Sequence, residues 1–388
     1  MTAYRDSAAK AVDQMTLWQD DSLAESPDYL SKQLITYLGN KRALLPHIGV
    51  ALERVRDRLN KDRLRILDAF SGSGVVSRYF KAYASSLVSN DFEDYAAVIA
   101  RCYLRNRSSV DLSAISESVA ELNDRVTKDA FARGFIEEMY APQDESNITK
   151  EDRVFYTREN ARRLDTYRRL IDLFPSETQD MLLGPLLSEA SVHANTAGVF
   201  KGFYKNRRTG IGQFGGTGLD ALSRIKGQIV LKNPVLSTFE CECQIMQEDA
   251  NQAARKANNL DLAYVDPPYN QHPYGSNYFM LNLLVNYERP LKVSRVSGIP
   301  SNWRRSRYNV KRDALPALRD LLCNLDAAFL LVSFNNEGFI SPQTMRAMLE
   351  NLGSVEVIEA PYNVFRGSRN LKRRSLHVTE YLFLVERR

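Results

Sequence analysis

Cysteine is scarce: the 388 residues hold four, Cys102, Cys241, Cys243 and Cys323. Only Cys241 and Cys243 lie close together, and alternate positions of a strand face opposite ways. That excludes a disulfide framework and leaves no zinc-type spacing, which fits a reducing cytoplasm and predicts no metal. Long apolar runs are also missing. No stretch approaches the roughly 18 apolar residues of a membrane helix, and residues 1–21 contain no apolar core of signal-peptide length. There is no internal repeat and no low-complexity segment. Two phosphate-binding signatures fail as well. The turn Ser71-Gly72-Ser73-Gly74 lacks the third glycine of a dinucleotide fold, and no Lys-Ser/Thr pair follows it as in a P-loop.

What remains is the composition of an ordinary globular chain, 44% hydrophobic and 26% charged. Its length suits two or three domains or one enlarged one. A net charge of +5 says little about a polyanionic partner; the placement of that charge says more.

The most telling stretch is Asp266-Pro267-Pro268-Tyr269. It follows an apolar run, Leu260 to Val265, that reads as a buried strand. A Pro-Pro turn is common punctuation. Here, however, it stiffens the exit from a strand, because Pro268 has no N–H and Pro267 restricts its neighbour. Such a turn can aim the Pro267 carbonyl and the Asp266 carboxylate at one point, where two acceptors suit the two N–H donors of an exocyclic amine. Tyr269 adds a face for stacking a flat base. Strand ends of this kind are where open α/β sheets bind ligands.

Upstream, Tyr37-Leu38-Gly39-Asn40-Lys41 precedes a helical pattern at Leu44, Leu45, Ile48, Ala51, Leu52 and Val55. A turn entering a helix favours a carboxylate there, although a plain capped helix start fits the same residues. Leu64 to Phe70 reads as a strand, followed by the Gly72/Gly74 turn and a helix from Val75 to about Ala84. A second strand, Leu87 to Asp91, ends in an acid about 20 residues beyond the glycines, where it can accept both hydroxyls of a ribose. A turn or helix-cap aspartate is the plainer alternative.

The strand–helix rhythm stops from about 112 to 236. Helical patterns fill residues 112–190, acidic at first, and the character changes at Asn195. From 195 to 233 there are seven Lys/Arg against one acid, Asp220, with Lys201, Lys205, Arg207 and Arg208 set among glycines and aromatics. This mixture suits phosphate and base-edge contacts; a solvated loop has the same composition. The rhythm returns near 238 with a strand to Met246, closed by Glu248-Asp249. After the helix Phe279 to Val285, residues 301–313 carry Arg304, Arg305, Arg307, Lys311 and Arg312. A helix near Leu315 to Leu325, a strand from Ala327 to Phe334, a helix at 343–352 and a closing hairpin (Val355 to Ile358, Tyr381 to Val385) complete the chain. Between the hairpin strands, residues 366–374 form a basic loop with no acid.

Taken together, these motifs resemble the Dam-like DNA adenine N6-methyltransferases of the α class, DPPY motif, in particular a restriction–modification branch. The likeness runs from about residue 32 to the C-terminus, outside the acidic helical part. Tyr37 to Lys41 is similar to the N-terminal cofactor motif, Asp68 to Gly74 to the first-strand motif, and Asp266 to Tyr269 to the catalytic motif. Phe200 to Gly216 and Ser333 to Gly338 look most like the restriction–modification branch. Asn40 stands where some relatives have a second glycine. The resemblance implies a doubly wound, Rossmann-like α/β fold. Residues 29–111 and 237–388 would form the catalytic domain, 112–236 an inserted, mainly helical target-recognition domain, and 1–28 a polar lead-in.

It further implies S-adenosyl-L-methionine as cofactor and S-adenosyl-L-homocysteine as product. The cofactor set would be Tyr37, Gly39, Asn40, Lys41, Asp68, Phe70, Gly72, Gly74, Asp91, Asp249 and Asp266. The cofactor carboxylate would lie near Tyr37 and Lys41, its ribose near Asp91 and its adenine near Asp249. Asp266, Pro267, Pro268 and Tyr269 would receive an adenine flipped from duplex DNA. The implied partner is double-stranded DNA in the bacterial cytoplasm or nucleoid, with no membrane, alongside a cognate restriction endonuclease not stably bound. N4-cytosine methylation, adenine methylation in RNA and a non-catalytic DNA-binding subunit are the competing readings.

Overall fold

Both faces of the central strands are buried, which is why they read as continuous apolar runs rather than alternating ones. In the computed structural model, which describes residues 25–128, 133–363 and 377–388, seven strands form one sheet in the order β3-β2-β1-β4-β5-β7-β6. They are β1 Leu64–Asp68, β2 Ala84–Asn90, β3 Glu242–Met246, β4 Leu260–Val265, β5 Ala327–Asn335, β6 Gly353–Asn363 and β7 His377–Arg387. β1 to β5 pair in parallel, and β7 pairs antiparallel with both β5 and β6.

Successive side chains supply opposite layers. Ile66, Leu262, Tyr264, Phe329 and Leu331 pack beneath the helix Leu45–Leu59. Leu67, Ala263, Val265, Leu330 and Val332 pack against the helix Lys311–Asn324. The chain winds one way through β1, β2 and β3 and the other way through β4 and β5, so the order reverses between β1 and β4. A doubly wound sheet opens a crevice at that point, outside the carboxyl ends of its strands.

The helices of the region 112–236 share one core with the helices Asp94–Tyr103 and Phe279–Asn286 and with Tyr29 and Ile35. Gly184 permits this contact: a Cβ there would meet Cys102 Sγ at 2.7 Å. Local alternation failed at Cys241 and Cys243. Their sulfurs lie 3.3 Å apart, because Cys241 precedes the strand that begins at Glu242 and is not bound by its alternation. Residues 1–24 of the polar lead-in, and the basic stretch 366–374, lie outside the described residues.

Candidate active site

Asn90 joins the first three strands at their carboxyl ends. Its buried amide donates to the carbonyls of Ala69 and Glu248, and its oxygen accepts from Glu248 N–H. The next residue, Asp91, is thereby held at the crevice. One oxygen of Asp91 accepts Gly72 N–H at 2.7 Å and the other Glu93 N–H at 2.9 Å. Gly72 and Gly74 have φ of +52° and +73°, a region that strains any residue with a Cβ. Burial raises the Asp91 carboxyl, and the N–H bonds from Glu93, Gly72 and Phe92 oppose it.

A cleft of about 720 Å³, open solvent at its mouth included, lies here. Of the residues expected at the cofactor, Tyr37, Gly39, Phe70, Asp91, Asp249 and Asp266 line it. Asp249 also caps the helix Ala250–Lys256, accepting from Asn251 N–H. Gly72 and Gly74 shape the turn behind the wall. Asp68 is drawn elsewhere: it is fully buried and accepts the Ser77 hydroxyl at 2.6 Å, and burial lifts it to about 7. Asn40 caps the short helix Lys41–Leu44, its oxygen accepting Arg42 N–H.

Lys41 also sits where local reading did not put it. Its ammonium is buried, 3.2 Å from Asp266 Oδ1 and 3.5 Å from Glu380 Oε1, with the Tyr269 ring 5.8 Å away. Burial works to lower its pKa, but Asp266 and Glu380 outweigh it and hold Lys41 charged, well above the ordinary lysine value. Burial pushes Asp266 up to about 6; Lys41 opposes that shift and Glu380 adds to it. The charge expected to face a cofactor carboxylate is therefore paired with the Asp266 carboxylate.

Three site residues carried no signal in the local pattern. Tyr274 and Tyr278 both stack against Tyr37, with ring centroids 5.1 Å and 4.9 Å from it and 6.0 Å from each other. Their hydroxyls grip the same segment, Tyr278 accepting Leu38 N–H at 2.7 Å and Tyr274 donating to Leu38 carbonyl at 3.2 Å. The N-terminal motif is thus stacked onto the segment that follows Tyr269. Glu93 is the third: it lines the cleft, burial lifts it to about 7, and Asn282 donates to it at 2.6 Å.

Pro267 is buried and Pro268 faces the cleft. Tyr269 stands edge-on to Phe334, with centroids 5.8 Å apart. Gly338 makes room for both rings, since a Cβ there would lie 2.4 Å from Phe334 and 3.2 Å from Tyr269 Cβ.

The basic residues divide. Lys201, Arg207 and Arg208 are exposed, and Lys205 lies 5.0 Å over the Phe203 ring. Their loop turns back at Asn206 and is clamped by buried Asn195, which donates to Val154 carbonyl and accepts Gly215 N–H. Phe200 N–H bonds to Asn277 carbonyl at 2.7 Å, which ties this loop to the helix Tyr274–Asn277 at the cleft. Arg305 and Arg307 are exposed, the first 4.7 Å over Trp303. Arg304 is placed differently from the sequence expectation. It lines the cleft, donates to Phe92 carbonyl at 2.8 Å and pairs with Asp94 at 2.8 Å, so its charge is used in the wall.

The family model of D12 class N6 adenine-specific DNA methyltransferases matches residues 37–348. Type II methyltransferase M.NlaIII of Neisseria lactamica is 28% identical over 361 residues, covering 91% of this chain and 99% of that protein. Type II methyltransferase M.CviAII of Paramecium bursaria Chlorella virus 1 is 28% identical, covering 90% and 98%. Modification methylase StsI of Streptococcus sanguinis is 27% identical, covering 91% of this chain and 52% of its own length. The doubly wound α/β sheet agrees with those matches. This chain belongs to the D12 class of N6 adenine-specific DNA methyltransferases.

Proposed function

We propose that the protein methylates the N6 amine of an adenine at a specific site in duplex DNA, using S-adenosyl-L-methionine, as the modification enzyme of a restriction–modification system. The observation that supports it most is the shared wall: Asp266 and Pro268 line the same cleft as Asp91 and Asp249. The lining has five carboxylates, Asp91, Glu93, Glu248, Asp249 and Asp266, against one cation, Arg304. Such a wall fits a cofactor bearing a sulfonium and an ammonium and opposes one bearing phosphates. When bound, the cofactor supplies an electrophilic methyl group. Asp91 would accept ribose hydroxyls and Asp249 would meet the adenine of the cofactor.

The protein's own residues prepare the nucleophile. Adenine N6 is a poor one, because its lone pair is delocalised into the ring. Acceptors at Asp266 and the Pro267 carbonyl favour a pyramidal amine with a localised pair, and Tyr269 holds the base by its face. The N6 proton is lost after transfer, so Asp266 acts first as an acceptor. Acceleration on this account comes from positioning and electrostatics. The cell compartment is the cytoplasm or nucleoid, with a restriction endonuclease as an unbound companion.

Nucleoside digests of duplex DNA treated with protein and cofactor should contain N6-methyladenine by mass analysis. Finding only N4-methylcytosine, methylated RNA, or no product on any DNA would refute this assignment. Exposed Lys201, Arg207 and Arg208 should contribute phosphate contacts. Replacing all three with Gln should flatten the dependence of log affinity on log salt by about one unit per lost contact. An unchanged slope would remove the loop from the interface. Arg304→Gln is expected to weaken cofactor binding instead, because that side chain spans Phe92 and Asp94 in the cleft wall.

A further inference from the structure

Glu380 lies on β7, far in sequence from every motif above. It is buried, pairs with Lys41 through one oxygen at 3.5 Å, and its other oxygen has no hydrogen-bond partner among the described residues. An uncompensated carboxylate oxygen in such a place is costly. The register explains how it arrives: β7 runs antiparallel beside β5, and Glu380 pairs with Asn335 at the carboxyl end of that strand. β4 flanks β5 on its other side and ends at Val265, one residue before Asp266.

We propose that Glu380 is a positioning residue for the methylation reaction. It anchors the Lys41 ammonium beside Oδ1 of Asp266 and so fixes that carboxylate where it lines the cleft. This inference rests on the methyltransferase reading above. Two carboxylates share one buried ammonium, so the cluster carries an excess negative charge. That charge keeps Asp266 a strong acceptor, whereas a lone Lys41–Asp266 pair would be self-satisfied.

The other groups at this cluster are Asp68 from β1, Tyr264 from β4, Tyr269 and Tyr274 from the segment after it, and Ser333 from β5. Among them Asp68 is the other carboxyl. It is bonded to Ser77 and not to Lys41, so loss of Glu380 leaves its partner in place.

The test is the pH dependence of the single-turnover rate on a mapped DNA site. Asp266 must be ionised to accept, so the wild-type rate should rise with pH through an acid limb near the Asp266 value of about 6. Glu380→Gln removes the repelling charge and hands Lys41 wholly to Asp266. The limb should then move down by roughly one pH unit, the scale of a neighbouring like charge. Glu380→Asp restores the charge and should return it. Lys41→Met removes the cation and should move the limb up, and it supplies the decision if Glu380→Gln does not fold. A folded, active Glu380→Gln enzyme with an unmoved or raised limb overturns the assignment, as does a Lys41→Met limb that fails to rise. Wild-type protein that methylates no DNA at any pH overturns the reading beneath it, a distinct result.

Discussion

Asp266→Ala is expected to lower the single-turnover methylation rate by at least about 10², the scale of deleting one preorganised polar group at a reacting centre. The substitution removes one of two acceptors for the amine and leaves the nitrogen flat. Its effect should fall on the chemical step. Asp91 and Asp249 remain in the cleft, so calorimetry should find cofactor binding changed far less than the rate. The fold should survive the change: Lys41 is buried between two carboxylates, and Glu380 remains to pair with it at 3.5 Å. With 2-aminopurine at the target position, Asp266→Ala should still extrude the base. Tyr269→Ala should alter that fluorescence, because stacking worth about 1 to 3 kcal/mol is lost; Tyr269→Phe should remain active. A folded Asp266→Ala protein that methylates at close to the wild-type rate would sink the mechanism.

Asp91→Ala should weaken cofactor binding by roughly 1.5 to 3 kcal/mol, the scale of hydrogen bonds to a charged group. The geometry gives two reasons. Asp91 lines the cleft, where it can accept from a ribose, and the same oxygens hold Gly72 N–H at 2.7 Å and Glu93 N–H at 2.9 Å. Alanine would remove the acceptor and release the glycine turn together. Asp91→Asn keeps one acceptor and should lose less. Isothermal calorimetry reads both, and wild-type affinity in a folded Asp91→Ala protein would remove Asp91 from the cofactor site.

Local chemistry carried much of this protein in plain view. The strands were legible because a sheet covered on both faces needs unbroken apolar runs, as in Leu260 to Val265 and Ala327 to Phe334. The Gly72/Gly74 turn was legible because left-handed backbone favours glycine. The Asp266 turn was legible because two prolines leave so few conformations. Each of these is fixed within a few residues, so the sequence alone determined the fold class, the order of motifs and the stiff turn that leaves β4 at Asp266.

Tertiary structure decided what joins them. Tyr37 stacks on Tyr274 and Tyr278, some 240 positions away, because a stack of rings depends on which segments meet and leaves no local period. Arg304 belongs to the cleft wall rather than to a basic face, because Phe92 and Asp94 lie beside it only after β2 has turned. Lys41 reads locally as part of a turn entering a helix, one that favours a carboxylate. It becomes the counter-ion of Asp266 and Glu380 only when β4, β5 and β7 are aligned, since burial and Coulomb forces act through space and not along the chain.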